Sequence, residues 1–321
     1  MENLSCRICH AEYLGEYFLI KEMMQGLEES FRYFQCTSCG CLQIVSPPTN
    51  FEKYYGDFYY SFQDNFSKNL VKKWAFTLRA KYELLGRSII GGWIASKYPN
   101  SALRSLKKIG LSPESNILDI GCGSGSLIYS LKELGFVNVQ GLDPYITESI
   151  TYSNGVSVIK DKLRVDIFEK KWDLIMLHHV LEHIWEQEDI ISTIKESLAP
   201  NGTILIRIPT TSSYAWDYYK EHWFQIDAPR HFFIHSIDSF EILLEKYNLK
   251  IAKYQSDSDE KQFWISEQYK NFIPLNSKLS YHKNPSKSIF SKIDILRFKE
   301  LSNDLNQENR GDQCIFIINH K

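Results

Sequence analysis

Four cysteines near the start of the chain are spaced as two pairs that suit a single metal ion. Cys6 and Cys9 form the first C-x-x-C pair, and Cys36 and Cys39 form the second. The two thiolates of each pair stand three positions apart, so both can face one ion from a tight turn. Four thiolates leave no coordination position open for substrate or water, so the pattern predicts a structural zinc site.

A glycine-rich stretch farther along the chain has the pattern of a turn that binds a nucleotide cofactor. Residues 117–125 read I-L-D-I-G-C-G-S-G, with Gly121, Gly123 and Gly125 after a short apolar run. Glycine lets the backbone approach a ligand without a Cβ in the way, and the start of the next helix offers free N–H groups. A tight turn without a ligand also uses glycines, so this stretch alone does not decide the function.

Two acids near this turn favour S-adenosylmethionine as the cofactor. Asp143 ends the next apolar run, where a carboxylate can accept hydrogen bonds from both ribose hydroxyls. NAD would leave Asp119 unexplained, and the NAD fingerprint requires a glycine where this chain has Ser126. A sulfonium and an amino group both favour a nearby carboxylate, so Asp119 suits the methionine end of S-adenosylmethionine.

Composition and charge restrict the class of protein. The chain has 321 residues, a net charge of −2, 43% hydrophobic residues and 24% charged residues, which is an ordinary globular balance. Residues 1–45 hold six acids and three bases, a poor charge for gripping phosphates, so we expect no nucleic-acid partner. No apolar run is long enough to span a membrane. Paired cysteines in a chain that lacks a signal-peptide pattern predict a cytoplasmic protein.

The elements that position these residues alternate between strands and helices after about residue 101. The alternation predicts an α/β fold with a doubly wound, mostly parallel sheet. Pro200-Asn201-Gly202 is expected to stop a helix before the fifth strand, and Cys314–Ile318 is expected to be a closing edge strand. The predicted segments are strands at 117–120, 137–142, 156–159, 174–177 and 203–208, and helices at 127–134 and 190–198.

The order of these motifs resembles that of class I S-adenosylmethionine-dependent methyltransferases. The matching stretches are D-I-G-C-G-S-G, G-L-D-P, W-D-L-I-M-L-H-H-V-L-E-H-I and L-A-P-N-G-T-I-L-I, within residues 101–251. The resemblance implies a Rossmann-like fold that binds S-adenosylmethionine. By that resemblance, the methionine end lies against Asp119, Gly121, Gly123 and Gly125, the ribose against Asp143, the adenine against Asp161, and the sulfonium near His178 and His179.

The N-terminal part resembles that of sugar methyltransferases, which act on nucleotide-linked or polysaccharide sugars. The cysteine pairs and the segment D-F-Y-Y-S at 57–61 carry this resemblance. It implies a small zinc-binding domain that closes over the sugar, with zinc as a structural ion. The loop between the cysteine pairs is shorter than in the carbon-methylating members, so both O- and C-methylation stay open.

An aromatic segment after the fifth strand holds the candidates for substrate binding and catalysis. Histidine has a suitable pKa for removing a proton from an alcohol, and P-R-H at 229–231 resembles the position of the catalytic histidine in sugar C-methyltransferases. His231 is therefore the predicted base, and Arg230 would pair with a phosphate of a sugar nucleotide. Trp223 and Asp227 would contact the sugar, although aromatic residues also fill hydrophobic cores.

Two further catalytic candidates are Tyr60, which would orient the sugar, and His179. His179 begins an H-x-x-E-H pattern that ends with Glu182 and His183 and is typical of inverted zinc peptidases. A zinc peptidase needs these residues on a long helix, whereas here the pattern starts at the end of a strand. Methyltransferases resembling the ubiquinone O-methylating enzymes carry a glutamate at the position of His179, where a divalent metal is expected. The histidine in this chain favours a packed or cofactor-adjacent role over metal binding.

These observations predict a zinc-binding domain at 1–45, an aromatic and helical connector at 46–100, and an S-adenosylmethionine-binding methyltransferase domain at 101–321. The predicted function is methylation of a small-molecule sugar with His231 as general base. Three rival hypotheses are a methyltransferase for RNA, a methyltransferase for a quinone-type small molecule, and a protein that keeps the cofactor fold without catalysis.

Overall fold

The computed structural model describes residues 4–54 and 70–321. Contacts between residues divide the chain into two compact units. The first unit comprises Met1–Asp57, Leu181–Gln187 and Arg207–Phe316, and the second comprises Phe58–Val180, Glu188–Ile206 and Ile317–Lys321. The predicted domain boundaries at residues 45 and 100 stay a prediction.

Strands and helices alternate through much of the described chain. The strands are β1 (Leu4–Ser5), β2 (Glu12–Tyr13), β3 (Phe18–Lys21), β4 (Ser30–Gln35), β5 (Leu42–Ile44), β6 (Asn116–Ile120), β7 (Asn138–Leu142), β8 (Ile150–Thr151), β9 (Ser157–Ile159), β10 (Trp172–His178), β11 (Leu198–Pro209), β12 (Phe233–Ile234), β13 (Leu249–Ser256) and β14 (Gln313–His320). The helices are α1 (Leu70–Leu85), α2 (Ile89–Lys97), α3 (Ser101–Ser105), α4 (Ser126–Glu133), α5 (Gln187–Ser197), α6 (Tyr214–Tyr219), α7 (Ile237–Glu245), α8 (Lys261–Lys270) and α9 (Lys292–Gln307).

The described chain contains a mostly parallel sheet, as predicted. Its eight strands have the order β13-β14-β11-β10-β6-β7-β9-β8, and the pairs β10–β6, β6–β7 and β7–β9 are parallel. Residues Leu174–Leu177 of β10 are wholly buried, as expected for a strand covered on both faces. The α/β, doubly wound, Rossmann-like class is confirmed.

The first unit contains a four-stranded sheet of order β12-β5-β4-β3. β3 and β4 form an antiparallel hairpin between the two cysteine pairs. The strand β12 joins β5 antiparallel, with Phe233 opposite Gln43 and Ile234 opposite Leu42. The cysteine-rich segment therefore shares one sheet with residues that lie almost two hundred positions later in the chain.

Two predicted details of the elements were wrong. Pro200-Asn201-Gly202 lies inside β11, which begins directly after α5. A Cβ on Gly202 would come within 2.7 Å of the Trp172 carbonyl oxygen, so glycine is required there by a neighbouring backbone. Cys314–Ile318 belongs to β14, which is not an edge strand because it lies between β13 and β11. Within the two described stretches, none of the helices has the length and apolar character needed to cross a bilayer.

Candidate functional site

The four predicted metal ligands come together in the first unit. The sulfur atoms of Cys6, Cys9, Cys36 and Cys39 all lie within 4.8 Å of one another. The Cys6–Cys39 pair is 3.6 Å apart and the Cys9–Cys36 pair is 3.5 Å apart. Tetrahedral coordination with Zn–S bonds of about 2.3 Å requires sulfur atoms about 3.8 Å apart. The predicted four-cysteine cluster is confirmed, and its geometry fits zinc.

Matching turns hold the two cysteine pairs. The N–H of His10 donates to the Cys6 carbonyl at 2.9 Å, and the N–H of Gly40 donates to the Cys36 carbonyl at 2.8 Å. His10 and Gly40 both adopt left-handed backbone conformations, with φ of 61° and 74°. Glycine adopts this conformation at position 40 without strain. Backbone N–H groups also point at sulfur, as from Cys39 to Cys36 at 3.5 Å, which stabilises thiolates.

A second cluster of metal-ligating side chains lies in the same unit. One ligand atom each from Glu182, His183 and His231 lies within 4.8 Å of the others. The two imidazole rings are 4.6 Å apart between centroids. The backbone N–H of Phe232 donates to the Glu182 carbonyl at 2.8 Å, which ties the two segments together. Burial, followed by the charge of His231, lowers the pKa of His183 to about 4.

The hydrogen bonds of the two histidines define which ring nitrogens are free of protons. The Nδ1 atom of His231 lies 2.7 Å from the Gln225 carbonyl, and the Nδ1 atom of His183 lies 3.0 Å from the Arg230 carbonyl. A carbonyl only accepts hydrogen bonds, so each Nδ1 carries the proton of the neutral ring. Both Nε2 atoms then keep a lone pair, which suits a base or a metal ligand.

Arg230 is held inside the protein by two groups. Its guanidinium donates to both carboxylate oxygens of Asp227 and to the backbone carbonyl of Tyr54. The side chain is fully buried. Burial alone would raise the pKa of Asp227, but the charge and hydrogen bonds of Arg230 lower it. Arg230 therefore holds the Asp227 carboxylate in place. Its buried guanidinium has no exposed surface on which to bind the sugar-nucleotide phosphate that the sequence predicts as its partner.

Asp227 and Trp223, the other two residues predicted to bind substrate, have different surroundings. Asp227 places a carboxylate oxygen 3.8 Å from Nε2 of His231, and its backbone is left-handed with φ 41°. Trp223 is buried, and its indole N–H donates to a carboxylate oxygen of Asp312 at 3.1 Å. Trp223 is therefore a core residue, in line with the alternative that aromatic residues of this segment fill the hydrophobic core.

The glycine turn of the second unit connects β6 to α4. The N–H of Gly121 donates to the Leu142 carbonyl at 2.7 Å, and Gly121, Gly123 and Gly125 all have positive φ. A Cβ on Gly121 would come within 2.4 Å of Val180, and one on Gly125 within 2.6 Å of Val158. Internal packing therefore explains these two glycines, in addition to the backbone conformation.

Two buried acids flank this turn. Asp143 accepts hydrogen bonds from the backbone N–H groups of Gly123 and Tyr145, each at 2.8 Å. Burial, together with the charge of Asp143, raises the pKa of Asp119 to about 8. A cation placed here would favour the charged form of both acids. The buried acid pair beside three left-handed glycines fits S-adenosylmethionine, whose amino and sulfonium groups are positive.

Four further residues are predicted from the sequence to bind the cofactor or to take part in catalysis, namely Asp161, His178, His179 and Tyr60. Asp161 lies at the surface of the second unit and forms an ion pair with Arg164 at 2.9 Å. His178 is the last residue of β10, and His179 follows it with a left-handed φ of 56°. Tyr60 lies outside the described residues.

Sequence reasoning does not select Glu182 and His183 as site residues. They end the H-x-x-E-H pattern, and residues Leu181–His183 form a short 3-10 turn instead of the long helix that a zinc peptidase needs. The last two residues of that pattern nevertheless join His231. The pattern was a usable signal, but the third partner comes from a distant segment.

A family profile described as "methyltransferase domain" matches residues 94–254, which is half of the chain. The chain belongs to this methyltransferase family. The match contains the glycine turn, both buried acids, the Glu182–His183 pair and His231. The cysteine cluster lies before the matched residues.

Among curated proteins, the chain is similar to enzymes named ubiquinone biosynthesis O-methyltransferase. The protein from Pasteurella multocida is 25% identical over 118 residues, which cover 31% of this chain and 48% of that protein. The protein from Rickettsia akari is 31% identical over 97 residues, which cover 28% of this chain and 38% of that protein. The chain thus spans less than half the length of these relatives.

Two solved structures are among those to which the chain is similar. The cyclopropane synthase MmaA2 from Mycobacterium tuberculosis is 17% identical with a TM-score of 0.42, and the alignment covers 67% of this chain and 81% of that one. The mycolic acid cyclopropane synthase CmaA1 is 16% identical with a TM-score of 0.44, with coverage of 77% and 98%.

Proposed function

We propose that this protein is an S-adenosylmethionine-dependent methyltransferase that acts on a sugar, either nucleotide-activated or part of a surface polysaccharide. Its membership of the methyltransferase family and the acid pair Asp119 and Asp143 support the cofactor. When bound, S-adenosylmethionine supplies a methyl group on a sulfonium. The residues of the chain must then bind and orient the acceptor and remove its proton.

The tautomer of His231 is the observation that supports its proposed role as the general base. Because Nδ1 donates to the Gln225 carbonyl at 2.7 Å, Nε2 is left as an acceptor of protons. The carboxylate of Asp227, 3.8 Å from Nε2, stabilises the positive ring that forms after the proton is taken. His231 therefore removes a proton from an acceptor hydroxyl, or from a carbon beside a ketone, and Arg230 keeps Asp227 ionised and in place.

The choice of a sugar rests on the resemblance of the cysteine pairs and of P-R-H at 229–231 to sugar methyltransferases. The structure offers a physical reason for those two features to occur together. β12, which begins two residues after His231, pairs with β5, which begins three residues after Cys39. A zinc ion at the cysteines would thus stabilise the segment that carries the base, in agreement with a structural ion.

The first experiment separates cofactor binding from catalysis. Calorimetric titration with S-adenosylmethionine is expected to show one site per chain, weakened by Asp143→Ala. A panel of nucleotide sugars then tests methyl transfer, and His231→Gln is expected to lower kcat by about a hundredfold or more with unchanged cofactor affinity. No cofactor binding, or affinity indifferent to Asp143→Ala, would contradict the proposal. Full activity of His231→Gln would show that His231 is not the general base.

A second candidate is metal-assisted methylation of a small aromatic acceptor. It is favoured by the cluster of Glu182, His183 and His231 and by the name of the ubiquinone-related proteins. In this case both Nε2 atoms and the carboxylate would hold a divalent ion, which would lower the pKa of the acceptor hydroxyl. Activity on catechols that requires added magnesium or manganese and is lost in Glu182→Gln would select this candidate. Activity on a sugar without added metal would select the first.

A further inference from the structure

The helical segment 74–107 of the second unit exposes several of its large apolar side chains. In α2, Ile89 is 94% exposed, Ile90 53% and Trp93 63%. The buried residues of this helix are small, namely Gly91 and Ala95. A surface helix normally turns its large apolar side chains toward the core, whereas α2 turns them toward solvent.

The packing of α2 against α1 explains why the small residues face inward. A Cβ on Gly91 would lie 2.1 Å from the Leu78 carbonyl oxygen, so the two helix backbones approach closely at this point. A Cβ on Gly92 would lie 2.9 Å from the ring of Tyr82. Only glycine allows this approach, and the large side chains of α2 are consequently left on its other face. α1 adds Trp74, which is more than half exposed.

The charge of the same segment is strongly one-sided. The one acid in 74–107 is Glu83, which is buried and receives two hydrogen bonds from Arg104 at 2.8 and 3.0 Å. The exposed charges are therefore positive, in a chain whose net charge is −2. They belong to Lys81, Arg87, Lys97 and Lys107, and the exposed Arg104 is paired with Glu83.

Trp93 and Lys97 bring an exposed apolar side chain and a positive charge together. The ammonium group of Lys97 lies 4.1 Å from the centre of the Trp93 ring, and both side chains are exposed. Tryptophan and lysine side chains are suited to the boundary between lipid and water, where the ring lies at the headgroups and the long stem reaches toward the phosphates.

We propose that α1, α2 and the turn between them dock this protein on the surface of an anionic lipid bilayer. Ile89, Ile90 and Trp93 enter the headgroup region, and the cations bind lipid phosphates. A second copy of the chain is a poorer partner, because a symmetric contact would place this positive surface against itself. Exposed isoleucines also add little to binding a nucleic acid, whose bases stack on aromatic rings. The proposal does not depend on the acceptor that the enzyme methylates.

The test is co-sedimentation of the full chain with vesicles of phosphatidylcholine, with and without phosphatidylglycerol. We expect binding to the anionic vesicles alone, weakening as salt is added. Ile89→Glu is expected to reduce affinity by about tenfold or more. It should not harm the fold, because an acid in the first turn of a helix is favourable. Neutralising Lys81, Arg87 and Lys97 to glutamine should weaken binding further and flatten its dependence on salt.

Ile293→Glu is the matched control. Ile293 lies near the start of α9, is 62% exposed, and belongs to a helix in which acids and bases are balanced. This variant should keep vesicle binding, and thermal unfolding should show that all the variants are folded. The proposal is overturned if the unaltered chain ignores anionic vesicles, or if Ile89→Glu and Ile293→Glu behave alike. It is also overturned if ultracentrifugation finds self-association that Ile89→Glu abolishes, without vesicle binding.

Discussion

The phenol hydroxyl of Tyr33 donates a hydrogen bond to the backbone carbonyl of His231 at 2.9 Å. Tyr33 lies on β4, between the two cysteine pairs, and is fully buried. This contact joins the cysteine-rich sheet to the residue proposed as the base. Under the proposal that His231 is the base, we expect the cysteine-rich sheet to influence activity by positioning this residue.

Replacing Tyr33 by phenylalanine tests this link. Tyr33→Phe leaves a buried carbonyl of His231 without this donor, which is expected to cost about 1 kcal/mol of stability. We expect kcat to fall several-fold, with the affinity for S-adenosylmethionine unchanged. Tyr219→Phe is the control, because it removes the hydrogen bond of a buried tyrosine to Glu267 at 3.0 Å. Equal kcat values for the two variants would show that Tyr33 only contributes stability.

Removal of the metal should disturb more than the cysteine turns. Elemental analysis is expected to find one zinc per chain, and Cys39→Ser is expected to lose it and to lower the unfolding temperature and the activity together. Cys41→Ser is the control, because Cys41 is buried close by but lies outside the four-sulfur cluster. Zinc retained by Cys39→Ser, or zinc lost equally in both variants, would contradict a four-cysteine site.

Cofactor affinity should depend on pH through Asp119. The raised pKa of about 8 means that this carboxyl holds a proton at neutral pH in the free protein. A positively charged ligand favours the ionised acid, so binding releases a proton, and affinity rises with pH up to about 8. Calorimetry in two buffers of different ionisation enthalpy measures the released proton. Asp119→Asn should abolish the slope, whereas Asp161→Asn, an acid paired with Arg164, should preserve it.

Acid should destabilise the first unit through His235. Burial lowers the pKa of His235 from 6.5 to about 3. The ring is held neutral between Gln187 at 2.6 Å and Ser239 at 3.0 Å.

The unfolded chain takes up a proton at this histidine more readily than the folded one. The stabilisation is therefore complete above pH 6.5 and is lost as the pH falls toward 3. Chemical unfolding at several pH values should show a shallower loss for His235→Gln than for the unaltered protein. Identical slopes would exclude His235 as the source.

Much of the candidate site follows from the sequence because its motifs are local. Two thiolates three positions apart face one ion whenever their turn forms, so the C-x-x-C spacing predicted the cluster of Cys6, Cys9, Cys36 and Cys39. The glycines after β6 and the acid after β7 were predictable for the same reason. Each motif depends on a few neighbouring residues and on the alternation of strand and helix.

The tertiary structure decided which distant segments meet. The pairing of β12 with β5, the union of Glu182 and His183 with His231, and the hydrogen bond from Arg230 to the Tyr54 carbonyl all depend on register and packing. The outward face of α2 likewise depends on a close helix contact at Gly91. A sequence pattern reports the periodicity of one element, but it does not report which element covers it, so these relationships required the folded chain.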